Sequence, residues 1–236
     1  MKVGIIVITY NISSELFCLQ IEAIRKFCKD DDYDIMIVDN STDMRMAVGI
    51  QYHASQLKLA YRKTMASSSD GSDSHSFAAN FAYSTLKDRF DVFLYLDHDC
   101  LPLKPFSVVE ILGEDKIMAG IGQQEIYFWP GCVMWRNDKI DKDLIDFSPD
   151  HQRHLDTGGG LSKVIDEYGK ENCIFFNEVY EQNPNFTGKY NYYALINDGM
   201  FLHVVNSSNW NGENNHEERI NSMVNLIREK IDSYVD

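Results

Sequence analysis

The sequence predicts an α/β fold, with a mostly parallel, doubly wound sheet that carries helices on both faces and a less regular second half. Short apolar runs alternate with stretches of helical periodicity in the first half, which is typical of parallel strands joined by crossover helices. Three of these runs end in polar residues, TYN (9–11), DNS (39–41) and DHD (97–99). Because ligands of such sheets bind beyond the carboxyl ends of the strands, we expect these ends to border one crevice.

The elements of the first half follow in order. The run VGIIVI (3–8) is continuous and β-rich, which fits a strand buried on both faces. A helix is predicted next, because apolar residues recur at helical spacing. These residues are Phe17, Ile21, Ile24 and Cys28. The run IMIV (35–38) predicts the second strand, and residues 57–61 predict a third.

A loop, a helix and a strand complete this half. The segment MASSSDGSDS (65–74) is small, polar and rich in Ser and Asp, which predicts a loop. The segment HSFAANFAYSTL (75–86) predicts a helix packed closely on the sheet, and VFLYL (92–96) predicts the next strand.

The second half is less regular. YFWPGCVMWR (127–136) predicts a strand pair interrupted at Pro130-Gly131, and residues 154–169 predict a glycine turn entering a helix. Residues 192–205 predict a hairpin that turns near Asp198-Gly199. An apolar stripe predicts a C-terminal helix that packs on its own domain, with a homodimer contact as the alternative. The stripe comprises Ile220, Met223, Val224, Ile227 and Ile231.

Composition argues against several classes of binding partner and against a membrane-spanning segment. The formal net charge of −14 argues against nucleic-acid partners and against docking on an anionic membrane. No segment approaches the length of a transmembrane helix. The five cysteines are scattered and form no C-x-x-C pair, which indicates reduced thiols and a cytoplasmic location.

Asp97 and Asp99 follow the apolar run 92–96 and lie two residues apart. If the backbone stays extended there, both side chains point the same way. Two hard oxygen ligands near a phosphate site suit Mg²⁺ or Mn²⁺. The alternative is a solvated turn capped by Asp.

Four segments together resemble the nucleotide-sugar half of GT-A (Rossmann-like) glycosyltransferases, especially glycosyltransferase family 2. They are VGIIVITYN, IMIVDNSTD, SHSFAANFAYS and FLYLDHDCLPLKP. The resemblance implies one GT-A domain over 1–236, with a donor half (1–105) and an acceptor half (106–236). It also implies an enzyme that uses Mn²⁺ or Mg²⁺ to move a sugar, such as a hexose, from a UDP- or GDP-linked donor to the hydroxyl of a glycan, lipid-linked or protein acceptor, with inversion.

The resemblance also implies donor-binding residues. Thr9, Tyr10 and Asn11 would line the nucleotide pocket, with Tyr10 stacking on the base. Asp39 would bind the base or ribose, and an Asx turn is its alternative. The segment of His75 and Asn80 corresponds to one in the family that commonly reads G-x-A-x-A-R-N.

In the same resemblance, Asp97 touches the ribose or a metal-bound water and Asp99 ligates the metal. His203 would be a late metal ligand, with a core histidine bonded to backbone as the alternative. The segment NSSNWNG (206–212) would form a mobile lid in which Trp210 covers the donor.

The resemblance further implies a base at the mouth of a helix in the second half, and by it Asp156 is predicted to accept the proton of the acceptor hydroxyl. Its alternative is to cap the helix that follows, and His154 is the reserve candidate. Tyr127, Phe128 and Trp129 are predicted to form an aromatic wall for an acceptor sugar or, alternatively, part of the core.

Two other functions remain open. A sugar nucleotidyltransferase would carry a Gly-rich, basic loop after the first strand, whereas TYNISSE (9–15) has neither glycine nor a cation. A non-catalytic nucleotide- or glycan-binding module of the same fold is the second alternative.

Overall fold

The larger sheet is built from the apolar runs of the sequence. The computed structural model describes residues 1–64, 71–207, 212 and 214–234. Within them, the strands of this sheet are Val3–Thr9 (β1), Tyr33–Asp39 (β2), Ala60–Lys63 (β3), Val92–Asp97 (β4), Met118–Gln123 (β6), Tyr127–Arg136 (β7) and Cys173–Phe175 (β8). Their order is β3-β2-β1-β4-β7-β6-β8. All neighbours are parallel except β7, which runs antiparallel to β4 and β6. The predicted α/β fold is therefore confirmed.

Helices cover both faces of this sheet. They are Ser14–Phe27 (α1), Met44–Gln56 (α2), Gly71–Leu86 (α3), Val108–Leu112 (α4), Ser162–Tyr168 (α5) and His216–Ser233 (α6), with 3₁₀ turns at Lys142–Leu144, Gly159–Leu161 and Lys170–Asn172. Ile5 of β1 packs in one core with α1 and α6, whereas Ile6 packs in a second core with α3 and α5. Alternate side chains of β1 thus enter opposite cores, which explains why its sequence is continuously apolar.

A smaller antiparallel sheet joins the two halves of the chain. Its strands are Cys100–Pro102 (β5), Glu178–Gln182 (β9), Tyr192–Ile196 (β10) and Phe201–His203 (β11). Their order is β5-β11-β10-β9. The predicted hairpin is confirmed, because β10 and β11 pair across a turn in which Asp198 and Gly199 both have positive φ. β11 also pairs with β5, which follows β4, and this pairing places His203 directly opposite Cys100.

Three local predictions were wrong. β7 is one strand through Pro130, because a register shift against Gly120 and Gly122 of β6 accommodates the proline. The third strand covers Ala60–Lys63 instead of 57–61. Residues 71–74 belong to α3 instead of the predicted loop, and the rest of that loop, 65–70, lies outside the described residues.

The terminal helix packs on its own domain, as predicted. Its apolar stripe is buried in the core that α1 also lines, and the ring of Tyr234 meets that of Phe27 edge-on at 5.2 Å. Within the described part of the chain, no helix is both long and apolar enough to cross a bilayer. The division into a donor half and an acceptor half stays a prediction.

Candidate functional site

A cavity of about 740 Å³ lies beyond the carboxyl ends of β1 and β4. This is the position expected for a ligand site in such a sheet. Six of the predicted site residues line it: Tyr10, His75, Asp97, Asp99, Asp156 and His203. It is the candidate site because acidic and imidazole side chains converge in it. Trp210 lies outside the described residues, so its role as a lid stays a prediction.

The two aspartates of the D-x-D segment have different partners. A turn follows β4 at residues 98–99, so the backbone is not extended between them. The Oδ1 atom of Asp97 lies 2.7 Å from Nε2 of His75. Asp99 Oδ2 accepts a hydrogen bond of 3.1 Å from Ser207 and lies 3.7 Å from Nε2 of His203. Each acidic group is therefore paired with its own imidazole.

Burial and neighbouring charges shift the pKa values of three groups in the cavity. Both aspartates are 7% exposed. Burial alone would raise the pKa of Asp99, but His203 and His98 outweigh it and hold that pKa well below its ordinary value. Burial alone would lower the pKa of His203, yet the adjacent Asp99 raises it. The pKa of His75 is raised in the same way, with Asp97 as the main opposing group.

Asp99 and His203 fit a divalent ion better than Asp97 does. The possible ligand atoms of Asp99, Cys100 and His203 all lie within 4.8 Å of one another. Asp99 Oδ1 is buried and has no hydrogen-bond partner among the described residues. A buried carboxylate oxygen without a donor is a suitable ligand for a cation. The metal role predicted for Asp97, Asp99 and His203 stays a prediction, and Asp97 also pairs with His75.

Asp39 lies fully buried behind the cavity instead of lining it. Its Oδ1 accepts hydrogen bonds from Thr9 Oγ1 (3.2 Å) and from the amide of Ser41 (2.9 Å). Its Oδ2 accepts one from the Tyr61 hydroxyl (2.7 Å). The bond to Ser41 is the Asx turn that the sequence left as an alternative. Contact of Thr9 and Asp39 with a nucleotide stays a prediction.

Asn11 links the loops that follow β1 and β2. Its φ is 45°, a left-handed conformation that Asn tolerates better than most residues. Its Oδ1 accepts from the amides of Thr42 (3.0 Å) and Asp43 (2.9 Å), and its own amide donates to Ser41 Oγ (2.8 Å). Asn11 itself does not line the cavity, but it positions Thr42, which does.

Asn80 is directed away from the cavity. Its side chain donates to Asp146 (3.2 Å) and Ser148 (3.1 Å) and accepts from the amide of Phe147 (2.9 Å). It therefore holds the loop before Gly158 against α3. Its donor-binding role stays a prediction, whereas His75, one helical turn earlier, lines the cavity.

Asp156 lines the cavity and is exposed. Its Oδ1 accepts hydrogen bonds from Ser72 Oγ and from the amide of Thr157 (2.7 Å). The helical turn that follows starts after Gly158, at φ 87°, without a side-chain cap. The capping alternative is thus not observed. His154 is exposed and does not line the cavity.

One member of the predicted aromatic wall reaches the site. Trp129 lines the cavity, and its ring centroid lies 4.9 Å from that of His203. Phe128 instead stacks on Phe175 in the core at 4.9 Å, and Tyr127 is buried. An added Cβ on Gly131 would come within 1.9 Å of the Trp129 ring. The absence of a side chain at Gly131 therefore leaves the space that the Trp129 ring occupies.

Sequence reasoning gave no role to Cys100 or Arg219, and it included Asn206 only as the first residue of the lid segment. Cys100 contributes a possible ligand atom beside Asp99, and Asn206 lines the cavity. Arg219 of α6 donates to the carbonyls of Val205 and Asn206 and so holds the segment after β11. No local pattern marks these residues, because strand pairing and helix docking bring them to the site.

No protein-family model matches the sequence, and no curated protein matches it. Among solved structures, the mannosyltransferase PcManGT from Pyrobaculum calidifontis, in complex with GDP-Man and Mn²⁺, is 17% identical, with a TM-score of 0.44, 57% of this chain covered and 44% of that chain. The galactosyltransferase LgtC, in complex with donor and acceptor sugar analogues, is 11% identical, with a TM-score of 0.46, 73% of this chain covered and 72% of that one. TarS from S. aureus is 15% identical, with a TM-score of 0.45, 69% of this chain covered and 33% of that one.

The chain is therefore similar in structure to these glycosyltransferases. It spans less than half the length of PcManGT.

Proposed function

We propose that the chain is a metal-dependent glycosyltransferase that moves a sugar from a nucleoside diphosphate sugar, UDP- or GDP-linked, to an acceptor hydroxyl with inversion. The observation that supports this most is the convergence of Asp97, Asp99, His203 and Asp156 on one cavity at the carboxyl ends of β1 and β4. The acceptor would be a glycan, a lipid-linked molecule or a protein, and the location cytoplasmic.

Asp99 and His203 would hold the divalent ion, Mn²⁺ or Mg²⁺. Carboxylate oxygens suit both ions, and imidazole suits Mn²⁺. When bound, the ion would stabilise negative charge on the diphosphate leaving group. The unpartnered Asp99 Oδ1 supports this role, because nothing in the described part of the chain satisfies it.

The other residues would position the substrates. Tyr10 is half-buried at the cavity wall, where its ring could stack on the base. Asp156 is exposed to the cavity, where its carboxylate could take the proton of the acceptor hydroxyl. Trp129, packed against His203, would offer its ring face to a sugar.

The test is a panel of UDP- and GDP-sugars with candidate acceptors, with and without Mn²⁺, in which released products are identified. Release of UDP or GDP together with a glycosylated acceptor supports the proposal. In a separate reaction with UTP or GTP and a sugar 1-phosphate, release of pyrophosphate together with formation of the nucleoside diphosphate sugar supports the nucleotidyltransferase alternative. Donor binding without turnover for any acceptor, and with no effect of Asp156→Asn, supports a binding module.

Asp99→Asn tests the metal part. We expect this variant to lose Mn²⁺-dependent donor binding in calorimetry, because a neutral amide replaces the buried carboxylate. Asp115→Asn, at an exposed position, is the matched control and should bind as wild type. Unchanged affinity of Asp99→Asn would contradict the metal assignment.

A further inference from the structure

We propose that Cys100 is a third protein ligand of the ion held by Asp99 and His203, and that its thiolate makes the site favour a borderline transition ion such as Zn²⁺ over Mg²⁺. This inference rests on the metal site of the proposed function. It assigns a role to a cysteine whose sequence context indicated an ordinary reduced thiol.

Strand pairing places the thiol at the site. Cys100 of β5 and His203 of β11 are direct partners in antiparallel register. Directly opposed residues of such a pair project from the same face of the sheet. Asp99 immediately precedes Cys100, and the amide of Val204 donates to the Asp99 carbonyl at 2.8 Å. The backbone on both sides of the three ligands is therefore fixed.

The distances allow one ion to reach all three residues. One ligand atom from each of Asp99, Cys100 and His203 lies within 4.8 Å of the other two. An ion bound tetrahedrally to sulfur at about 2.3 Å and to nitrogen or oxygen at about 2.0–2.2 Å needs ligand atoms about 3.4–3.6 Å apart, so the three side chains would have to approach one another by up to roughly 1 Å. Small side-chain rotations would close the site.

A second observation points to a ligand. Asp99 is 7% exposed, and its Oδ1 has no hydrogen-bond partner among the described residues. Buried carboxylate oxygens in proteins are normally satisfied by a donor or an ion. A cation between Asp99 and the Cys100–His203 pair would satisfy it.

The donor set decides which ion is favoured. Thiolate, imidazole and carboxylate are the ligands that proteins use for Zn²⁺, whereas Mg²⁺ takes oxygen ligands. Three protein ligands also leave a position open for an oxygen of a diphosphate or of water. On binding, the thiol proton leaves for the solvent as the sulfur–metal bond forms.

Cys132 provides a matched control within the chain. It is as fully buried as Cys100 and lies on β7, opposite Leu96 of β4. It is not among the possible ligands found in the described residues. Serine at either position removes one buried thiol, but only the change at Cys100 should alter metal binding.

The experiment is a Co²⁺ titration of the metal-free, reduced full chain, followed by absorption spectroscopy. Wild type should show visible cobalt bands together with a near-ultraviolet thiolate-to-cobalt charge-transfer band. Cys100→Ser should lose the charge-transfer band and bind Co²⁺ about tenfold or more weakly, since even outer contacts of a metal ligand change affinity by this much. Cys132→Ser should match wild type. Zn²⁺ should displace the cobalt, and excess Mg²⁺ should not.

Several outcomes would overturn the inference. Visible cobalt bands without a charge-transfer band in wild type would show an Asp–His site without sulfur and leave the proposed function standing. The inference is also overturned, and the proposed function left standing, if Cys132→Ser loses the charge-transfer band while Cys100→Ser keeps it. Displacement of the cobalt by Mg²⁺ has the same consequence. No cobalt absorption at all would contradict both this inference and the metal part of the proposed function. If Cys100→Ser does not fold, absence of the charge-transfer band in wild type, or its loss in Cys132→Ser, still overturns the inference.

Discussion

Two carboxylates of the cavity have opposite surroundings. Asp99 is buried between Ser207 and His203, whereas Asp156 is exposed and accepts hydrogen bonds from Ser72 and Thr157. A buried carboxylate needs a compensating positive charge, while an exposed one can take a proton from an incoming hydroxyl. The surroundings therefore favour the ion for Asp99 and the base role for Asp156.

Asp156→Asn tests the base at the residue scale. We expect donor affinity to stay unchanged and transfer to fall by roughly 10²–10⁴-fold, the usual contribution of a general base. Steady-state rates and calorimetric donor affinity are the measurements. His154→Ala, at an exposed position off the cavity, should transfer at the wild-type rate. A wild-type rate in Asp156→Asn would remove this residue from the mechanism.

Gly131→Ala tests the position of Trp129. The added methyl would lie 1.9 Å from the indole ring, so we expect the ring to leave His203 and the tryptophan emission to shift. The double variant Trp129→Phe/Gly131→Ala lacks the displaced indole ring. Its emission should therefore match that of the single variant Trp129→Phe. Gly71→Ala is the control, because nothing lies within 4 Å of its added Cβ. An unchanged emission spectrum in Gly131→Ala would contradict the packing.

At the scale of elements, Asn11 fastens the loop after β1 to the loop after β2. We expect Asn11→Ala to lower the free energy of unfolding by about 1–2 kcal/mol from the left-handed φ alone, with a further loss from its hydrogen bonds. Asn11→Gly keeps the backbone freedom and should lose less. Denaturant unfolding measures both variants. Equal stability of wild type and Asn11→Ala would show that this link is not needed.

The elements that periodicity marks could be predicted from sequence. β1, β2, β4, the late hairpin and α6 were each indicated by local runs or stripes, and all are confirmed. The continuation of β7 through Pro130 was not predicted, because it depends on a register shift in β6 that leaves no local signal. Non-local pairing is set by the whole sheet, so one segment cannot reveal it.

The candidate site was predictable in position more than in detail. The rule that ligands sit beyond strand ends led to Asp97 and Asp99, and both line the cavity. The same rule selected Thr9 and Asp39, which bond to each other behind it. Residue type and spacing do not show which way a side chain turns at a strand end. Cys100 was missed because its proximity to His203 arises from strand register.

At the scale of the whole molecule, acid should weaken the fold through paired carboxylates such as Asp138. Arg136 donates to both of its oxygens, at 2.8 and 2.7 Å, and this lowers the pKa of Asp138 below its ordinary 3.8. A carboxyl group whose pKa is lower in the folded state than in the unfolded state stabilises the fold. This stabilisation is fully present when the pH is above the pKa of the unfolded state. That stabilisation is lost as the pH falls through the folded value.

Asp138→Asn measures this effect. The Tm difference between wild type and variant should be largest near pH 6 and shrink as the pH drops below 3.8. Asp115→Asn, at an exposed position, is the control variant, and its Tm is measured over the same pH range. A constant difference for Asp138→Asn across the range would contradict the ion pair.

The overall charge of −14 opposes the approach of a diphosphate, and a cation bound in the cavity would invert the sign of the charge there. A homodimer stays a prediction. The apolar stripe of α6, which first suggested one, is already covered by α1.

Arg219, buried on α6, donates hydrogen bonds to the carbonyls of Val205 and Asn206 at the edge of the cavity. During synthesis, a ribosome must therefore extend the chain past this arginine before that edge can be secured. A nascent chain halted earlier would carry both aspartates of the D-x-D segment. It would lack the hydrogen bonds of Arg219 that hold the edge of the cavity beside them.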